Sequence, residues 1–219
     1  MGARRGVFIS FEGPEGSGKS LQARRLADAL RQQGRPVVLT REPGGTPISD
    51  QIRQVILSPE HTAMTPEAEI LLYSAARAQH VGQLVRPTLA AGQCVICDRF
   101  ADSTLAYQGY GLGLDLDALR YITHFATGGL VPDLTVYLDC PVALGLERRR
   151  QAALRSGGEW NRLDRKPVEY HERVRRGYLD LVRADPDRWL VIDATASPDA
   201  VHTLVLTQVT TRLEGRWTL

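Results

Sequence analysis

Residues 7–20 of the chain read VFISFEGPEGSGKS, and a helical pattern follows directly. An apolar run leads into a glycine-rich loop that ends in Lys19 and Ser20, which is the Walker A pattern in its required order of strand, loop and helix. The glycines let backbone N–H groups converge on phosphate oxygens, and the helix start adds the positive end of its dipole. Lys19 is suited to neutralise β- and γ-phosphate oxygens, and the Ser20 hydroxyl to bind Mg²⁺. The stretch predicts an ATP-binding loop formed by Gly13, Pro14, Glu15, Gly16, Ser17, Gly18, Lys19 and Ser20.

Strand-like and helix-like segments alternate along the rest of the chain, which predicts βαβ units and a parallel sheet. We expect strands at residues 7–11, 36–41, 94–98, 134–139 and 189–193. We expect helices at about 18–33, 47–57, 66–91, 114–126, 141–153, 167–184 and 198–213. The predicted fold is α/β: a P-loop NTPase with three α/β/α layers, a five-stranded parallel sheet and one domain over residues 1–219.

Composition narrows the class of protein. The 219 residues are 43% apolar and 24% charged, which is typical of one folded domain with a buried core. Lys plus Arg number 27 against 25 Asp plus Glu, so the net charge of +2 does not favour a general nucleic-acid binder. No apolar run approaches the roughly 18 residues of a membrane span. We therefore expect neither nucleic acid nor a membrane as a partner.

Three cysteines, an odd number, favour a reducing compartment, for which the cytoplasm is the default expectation. Cys94 and Cys97 lie within one apolar strand pattern, where residues three apart point to opposite faces of the sheet. Redox or zinc chemistry at this pair is therefore not expected.

The phosphate loop by itself does not define the reaction. Guanine recognition by a GTPase needs an Asn-Lys-x-Asp element, but the one asparagine, Asn161, is followed by Arg162. An Asp-x-x-Gly switch motif is also absent, and 219 residues leave little room for the accessory domain of a motor. A nucleotide or metabolite kinase remains.

Asp98-Arg99-Phe100 ends the third predicted strand, at the sheet edge where open α/β folds bind ligands. Asp98 is suited to hold the metal, directly or through water, and the planar fork of Arg99 to bind phosphate. A purely structural Asp–Arg pair is the alternative, but the position beside the phosphate loop favours function.

Five motifs together resemble the thymidylate kinase family over almost the whole chain. They are Phe11-Glu12-Gly13, the REPGGT block at residues 41–46, YSAAR at 73–77, Asp98-Arg99-Phe100, and residues 103–108. The resemblance implies transfer of the γ-phosphoryl group of ATP to dTMP with Mg²⁺, a step in dTTP biosynthesis. It also implies a homodimer, which we expect to form through the regions 66–91 and 114–126.

The resemblance further implies a dTMP site. Tyr73 and Arg77 are spaced i, i+4 on one helix face; in the family the aromatic ring stacks on thymine and the arginine donates to its O4. Residues 103, 104, 107 and 108 likewise fall on one helical face after Asp98-Arg99. The resemblance implies Thr104 at the base edge and Tyr107 at the 2′ position of the sugar. The alternatives are a surface Tyr–Arg contact and ordinary helix capping and packing. The implied dTMP-binding set is Glu15, Arg41, Tyr73, Arg77, Arg99, Ser103, Thr104, Tyr107 and Gln108.

The resemblance assigns Arg41 and Glu15 to particular groups of dTMP. Arg41 matches an arginine that helps to hold the acceptor phosphate, whereas Arg53 is a weaker option because a helix arginine is usually solvated. Glu15 is implied to contact the sugar 3′-hydroxyl, and its alternative is a side chain that points to solvent.

Residues 148–166 contain six arginines around Gly157-Gly158, and we interpret this segment as a mobile cationic LID rather than a solvated helix end. Positions 14, 15 and 17 of the phosphate loop are not basic, so the chain resembles the family subclass whose catalytic arginine comes from the LID. Arg155 matches that arginine best, with Arg148 and Arg162 in support. The expected catalytic residues are thus Lys19, Arg99 and Arg155, with Arg148 and Arg155 also binding ATP and with Ser20 and Asp98 at the metal.

Three other functions stay open at this point. The first is another nucleoside monophosphate kinase or a deoxynucleoside kinase, since one methyl group separates dTMP from dUMP by only about 1–3 kcal/mol. The second is a nucleic-acid-associated ATPase that holds a backbone with the LID arginines. The third is an inactive P-loop fold with a structural role, which the presence of Lys19, Ser20, Asp98 and Arg99 argues against.

Overall fold

A computed structural model describes residues 5–156 and 163–216. Five strands form one sheet in the order β2-β3-β1-β4-β5, and every pair is parallel. The strands are β1 Phe8–Glu12, β2 Val37–Arg41, β3 Cys94–Asp98, β4 Leu134–Asp139 and β5 Trp189–Asp193. All five lie within one residue of the segments predicted from sequence, and the α/β class with a five-stranded parallel sheet is confirmed.

The central strand β1 explains how the sheet organises the core. Ile9 and Phe11 face a layer that includes α1 and α9, whereas Phe8 faces the opposite layer with Val95 and Phe100. Because successive strand residues point to opposite faces, a strand covered on both sides is apolar throughout. Helices on both faces give the three predicted layers.

The helices are α1 Lys19–Gln32, α2 Pro47–Leu57, α3 Pro66–His80, α4 Arg86–Ala90, α5 Ala101–Thr104, α6 Leu116–Thr127, α7 Val142–Ser156, α8 Val168–Ala184 and α9 Pro198–Arg212. Local signals set several starts. Thr46, Thr65 and Ser197 each precede a proline and accept a hydrogen bond from the backbone N–H three residues on. None of the helices in residues 5–156 and 163–216 is both long and apolar enough to cross a membrane.

Two helical segments differ from the sequence prediction. The single helix predicted at 66–91 is interrupted by a π-helical turn, Val81–Val85, before α4. Pro87 has no N–H to donate to the preceding turn, and a widened turn accommodates its ring. The second segment is helical, as the helical face over residues 103–108 predicts, but it is longer and partly π-helical: α5 continues into a π-helical stretch, Leu105–Gly111. Its two glycines are poor helix formers, but they let Leu116 and Tyr170 pack close to the backbone.

Candidate active site

A cavity of about 530 Å³ opens at the carboxyl edge of β1, β2 and β3. This volume lies within the range of small-molecule sites, and the edge is where parallel α/β sheets bind ligands. Most of the residues predicted for the site line it: Glu15, Gly16, Gly18, Lys19, Ser20, Arg41, Tyr73, Arg77, Asp98, Arg99, Ser103, Thr104, Tyr107, Gln108 and Arg148. Gly13, Pro14, Ser17 and Arg155 are not part of the lining, and Arg162 lies outside the described residues.

The phosphate loop depends on backbone angles that glycine adopts without strain. Gly13, Gly16 and Gly18 have φ angles of 145°, 68° and 92°. The loop also lies directly against the first turn of α7, because a Cβ on Gly16 would stand 1.9 Å from the Gly145 carbonyl oxygen. Backbone therefore packs on backbone here, and neither position has room for a side chain.

Lys19 begins α1 and is almost fully buried. Its Nζ donates to the Pro14 carbonyl oxygen at 2.7 Å, inside the phosphate loop. Burial and the charge of Arg99 lower the pKa of Lys19 to about 8. Phosphate oxygens at this position would stabilise the charged form, since an opposite charge favours it.

The side chains of Ser20 and Asp98 are in contact, so both could bind one metal ion. The Ser20 hydroxyl donates to Asp98 Oδ2, and Asp98 Oδ1 is buried with no hydrogen-bond partner among residues 5–156 and 163–216. An orphaned carboxylate oxygen beside a hydroxyl suits Mg²⁺, which prefers oxygen ligands and usually keeps waters and substrate phosphates in its shell. The described ranges contain no group of three or more His, Cys, Asp or Glu side chains that could hold a metal, so phosphate and water would supply the remaining ligands.

Arg99 lies at the centre of the site in a strained conformation. Its φ of 70° is left-handed, which is costly for a residue with a Cβ. The following N–H, that of Phe100, donates to Glu12 Oε1 at 2.7 Å and fixes the turn. The guanidinium donates to Tyr107 Oη at 2.8 Å and to Glu15 Oε1 at 3.1 Å. Strain that the surroundings enforce in this way is typical of functional sites.

Glu15 does not point to solvent, because its side chain is only 10% exposed. The Tyr107 hydroxyl donates to its Oε2 at 2.7 Å, and His171 Nδ1 lies 3.6 Å from the same oxygen. Burial is the largest effect on the pKa of Glu15 and acts to raise it, but the charges of Arg99 and Lys19 and the hydrogen bonding of Glu15 together outweigh burial, and the pKa falls to about 2. Glu15 is therefore an ionised acceptor at the edge of the phosphate loop.

Arg77 is not a surface residue, because its side chain is only 2% exposed. Its guanidinium donates to Thr104 Oγ1 at 3.0 Å and to Glu42 Oε2 at 2.8 Å. Tyr73 lines the same cavity from the same helix. One end of the cavity thus combines an aromatic ring with a buried cation.

Polar side chains on α5 and on the π-helical stretch that follows it also line the cavity. Gln108 Nε2 donates to Glu69 Oε1 at 2.7 Å, and the Ser103 hydroxyl donates to Glu12 Oε2 at 2.6 Å.

Arg41 is exposed and pairs with Asp50 at 2.9 Å, whereas Arg53 donates to the Pro43 carbonyl oxygen at 2.8 Å. Arg53, the weaker option from sequence, lines the cavity as Arg41 does.

The described parts of the LID place its arginines differently. Arg148 donates to the carbonyl oxygens of Ala194 and Thr195 at 2.7 and 3.0 Å, which ties α7 to the loop after β5. Arg155 is exposed, two turns further along α7. Gly157-Gly158 lie, like Arg162, outside the described residues.

Several residues that shape the site were not singled out from sequence. Glu12, Glu42 and His80 form buried hydrogen bonds, and Tyr178 donates to Glu12 Oε2 at 2.7 Å from the distant helix α8. Arg149 forms two hydrogen bonds with the buried Asp164 across the LID, at 3.2 and 2.8 Å. Glu12 and Glu42 lie inside the quoted motifs, where a carboxylate in an otherwise apolar or glycine-rich stretch could have indicated a functional residue. No such local pattern marks Tyr178 or Asp164.

Comparison with known proteins gives a consistent picture. A family model described as thymidylate kinase matches residues 11–205, a range that includes every residue lining the cavity. A thymidylate kinase of Roseiflexus sp. is 57% identical over 202 residues, with 89% of each chain covered. One from Geotalea daltonii is 48% identical, with 96% of this chain and 99% of the relative covered. The crystal structure of thymidylate kinase from Ehrlichia chaffeensis superposes with a TM-score of 0.75 at 32% identity, over 94% of this chain and 99% of that one.

Proposed function

The chain belongs to the thymidylate kinase family, and from this membership we propose that it transfers the γ-phosphoryl group of ATP to dTMP, giving ADP and dTDP. It has the P-loop fold of nucleoside monophosphate kinases. One observation carries the proposal beyond the family match: the phosphate loop and the Tyr73–Arg77 pocket open into the same cavity. Two nucleotides bound there would meet with their phosphates between Lys19 and Arg99.

Phosphoryl transfer requires positioning and charge neutralisation more than covalent chemistry. We assign Lys19 to the donor phosphates and Arg99 to the transferred group, because both cations are held rigidly at the sheet edge. Ser20 and Asp98 would hold Mg²⁺, which when bound withdraws charge from the phosphate oxygens.

On the acceptor side, Tyr73 would stack on thymine and Arg77 would donate to its O4. Thr104 and Gln108 would complete the base edge, with Ser103 beside them. Tyr107 would occupy the space next to C2′, while the ionised Glu15 would accept a hydrogen bond from the 3′-hydroxyl. Arg41 would bind the acceptor phosphate. The buried Arg77 supports this arrangement, since a desolvated cation discriminates strongly between a carbonyl and an amino group.

We assign the LID arginine that neutralises the transition state to Arg155, with Arg148 in an ATP-binding role. Arg155 is exposed and away from the cavity, so closure of the LID would have to carry it inwards. Arg155→Ala should lower kcat by about 10³-fold or more, as loss of an arginine finger does in other phosphoryl-transfer enzymes. A loss below tenfold would reject this assignment, and the matched substitution Arg150→Ala, on the exposed side of the same helix, provides the control.

The reaction itself is tested by an ADP-release assay with Mg²⁺-ATP and a panel of acceptors: dTMP, dUMP, dCMP, dGMP, dAMP, UMP and thymidine. Preferred turnover of dTMP with weaker turnover of dUMP is the expected result. Preference for another acceptor would refute the pocket assignment, and hydrolysis without any acceptor would indicate an ATPase.

We further propose that residues 1–219 act as a single kinase domain that forms a homodimer in the cytoplasm. Leu71 on α3, and Tyr121 and Phe125 on α6, are 59%, 76% and 81% exposed. Large apolar side chains on two helices that pack together favour an interface. Cys94, Cys97 and Cys140 are free, buried thiols, which suits a reducing compartment.

A further inference from the structure

Most of the hydrogen-bonding capacity of Arg77 is used within the protein. Its Nε donates to Glu42 Oε2, its Nη1 to Thr104 Oγ1 and its Nη2 to the Phe100 carbonyl oxygen, at 2.8, 3.0 and 3.2 Å. A guanidinium has five N–H groups, so one on each terminal nitrogen remains. These three contacts fix the plane of the guanidinium, and with it the direction of the two remaining donors.

Glu42 provides the charged contact among the three. Its side chain is 3% exposed, so it needs a cation and a full set of hydrogen bonds to remain ionised. Burial acts to raise its pKa, but the Arg77 guanidinium and the His80 hydrogen bond lower it below the ordinary value. Glu42 is therefore a buried carboxylate held between two side chains of α3.

His80 supports Glu42 from the opposite side. Its Nδ1 lies 2.9 Å from Glu42 Oε1, and its Nε2 lies 2.8 Å from Thr40 Oγ1 on β2. The ring has no exposed surface. Gly45 leaves room for this contact, because a Cβ there would stand 2.5 Å from Thr40 Oγ1 and 2.9 Å from His80 Cδ2. Thr40, His80, Glu42 and Arg77 thus form one continuous buried chain of hydrogen bonds from β2 to the cavity.

We propose that Glu42, held by His80 and Thr40, is the positioning residue that aims Arg77 at the acceptor base and so sets the affinity for dTMP. The proposal rests on the proposed function, because it takes the base as the ligand of Arg77. Glu42 lines the cavity but is only 3% exposed, and its two carboxylate oxygens are paired with Arg77 and His80, so it acts through the orientation of Arg77. The glycine at position 45 then serves base recognition, although it lies outside the base pocket.

Glu42→Gln tests the proposal most directly, because it keeps the shape of the side chain and removes its charge. We expect the KM for dTMP to rise roughly 5- to 15-fold, because the amide oxygen still accepts from Arg77 but the bond loses its charge assistance, with the KM for ATP within twofold of wild type. Glu67→Gln is the matched control, since Glu67 is exposed in the first turn of the same helix as Arg77. A KM for dTMP that stays within twofold of wild type would overturn the proposal, as would an equal rise for both substrates.

A double-mutant cycle separates positioning from a general structural effect. In an Arg77→Ala background, Glu42→Gln should add less than twofold to the KM for dTMP, because Glu42 has no guanidinium left to orient. Effects that multiply would show that Glu42 acts independently of Arg77 and would reject the proposal.

Two milder variants keep the test valid if Glu42→Gln does not fold. Thr40→Val removes the hydroxyl at nearly constant shape and should raise the KM for dTMP by about two- to fivefold, whereas Thr40→Ser retains the hydroxyl and should behave as wild type. Equal KM values for the two Thr40 variants would contradict a role for the chain of hydrogen bonds.

A spectroscopic readout does not depend on turnover. The Arg77 Nε–H resonance, assigned from its loss in Arg77→Lys, should be protected from exchange in the wild type and in Thr40→Ser but exchange faster in Thr40→Val. Equal exchange in all three proteins would refute the positioning role. If the wild type prefers an acceptor other than dTMP, the proposed function fails, and the same cycle run with that acceptor still tests the positioning of Arg77.

Discussion

Glu12, the last residue of β1, shows how one buried acid supports the geometry of the site. Its carboxylate accepts hydrogen bonds from the Phe100 N–H and from the hydroxyls of Ser103 and Tyr178. It thereby joins β1, the turn that holds Arg99, and α8. Burial, together with the charge of Asp102, nevertheless raises the pKa of Glu12 to about 7.

The raised pKa of Glu12 predicts a specific pH dependence of stability. Folding favours the protonated acid, so the folded chain binds more protons than the unfolded chain between pH 4.5 and 7, and stability falls as the pH rises through this window. Glu12→Gln removes this effect, because its amide oxygen can accept from Phe100 N–H while its NH₂ donates to the two hydroxyls. From pH 5 to pH 8 the free energy of unfolding of the variant should rise by roughly 2–3 kcal/mol relative to wild type. Urea unfolding measures this difference, and one that does not change with pH would contradict the prediction.

Lys19 is a residue whose proposed role in catalysis comes at a cost to the stability of the folded chain. Its lowered pKa means that its charged form is less favourable in the folded chain than in the unfolded chain. Lys19→Ala should therefore leave the Tm unchanged or higher while lowering kcat by about 10²- to 10³-fold, the usual cost of losing a transition-state donor. Thermal unfolding and ADP release on the same preparation check both parts; a marked fall in Tm would argue against the stability part.

At the scale of elements, the contact between the phosphate loop and α7 leads to the next prediction. A Cβ on Gly145 would stand 2.2 Å from the Glu15 carbonyl oxygen, so Gly145→Ala must displace either the loop or the helix. We expect at least a tenfold weaker affinity for ATP, measured by calorimetry, and a lower Tm. Gly82→Ala is the matched control, because Gly82 lies on the surface and a methyl group there would meet no atom within 4 Å. Equal affinities for ATP in the two variants would show that the loop tolerates the displacement.

Some elements could be predicted from the sequence more closely than others, for physical reasons. The strands were located to within one residue because a strand buried on both faces is a continuous apolar run between turn residues. The π-helical turns could not be predicted in the same way. The helical face over residues 103–108 is predicted, but Gly109 and Gly111 disfavour a helix locally. The helical backbone continues past residue 108 where these glycines pack against Leu116 and Tyr170.

The candidate site, like the helices, could be predicted from the sequence only in part. Lys19, Asp98 and Arg99 could be assigned to one edge because parallel strands end at the same side of a sheet. The contact of Tyr178 with Glu12, and that of His80 with Thr40, join segments far apart in sequence. Such contacts depend on how helices pack over the sheet, which no local pattern specifies.

At the scale of the whole molecule, the exposed apolar side chains of α3 and α6 predict the oligomeric state. Phe125→Asp should convert a dimer into a monomer, because a buried and unpaired carboxylate is strongly unfavourable at an interface. Sedimentation velocity gives the mass of each form. Leu154→Asp, at a similarly exposed leucine on α7, should remain dimeric. A wild-type monomer, or a Phe125→Asp dimer, would refute the proposed interface.

The close packing of Gly16 against Gly145 also has a mechanical consequence. Helix α7 packs against the phosphate loop near its beginning, and its later turns belong to the proposed LID, so the helix has the geometry of a lever whose fulcrum is Gly145. Arg155 lies ten residues from that fulcrum, about 15 Å along the helix axis. A tilt of about 10° would therefore move Arg155 by roughly 2.6 Å while Gly145 stays in place. The contact at this fulcrum is between backbone atoms, whereas Arg148, three residues further along α7, is hydrogen-bonded to the Ala194 and Thr195 carbonyl oxygens. A tilt that moves Arg155 must therefore also stretch or release these two bonds.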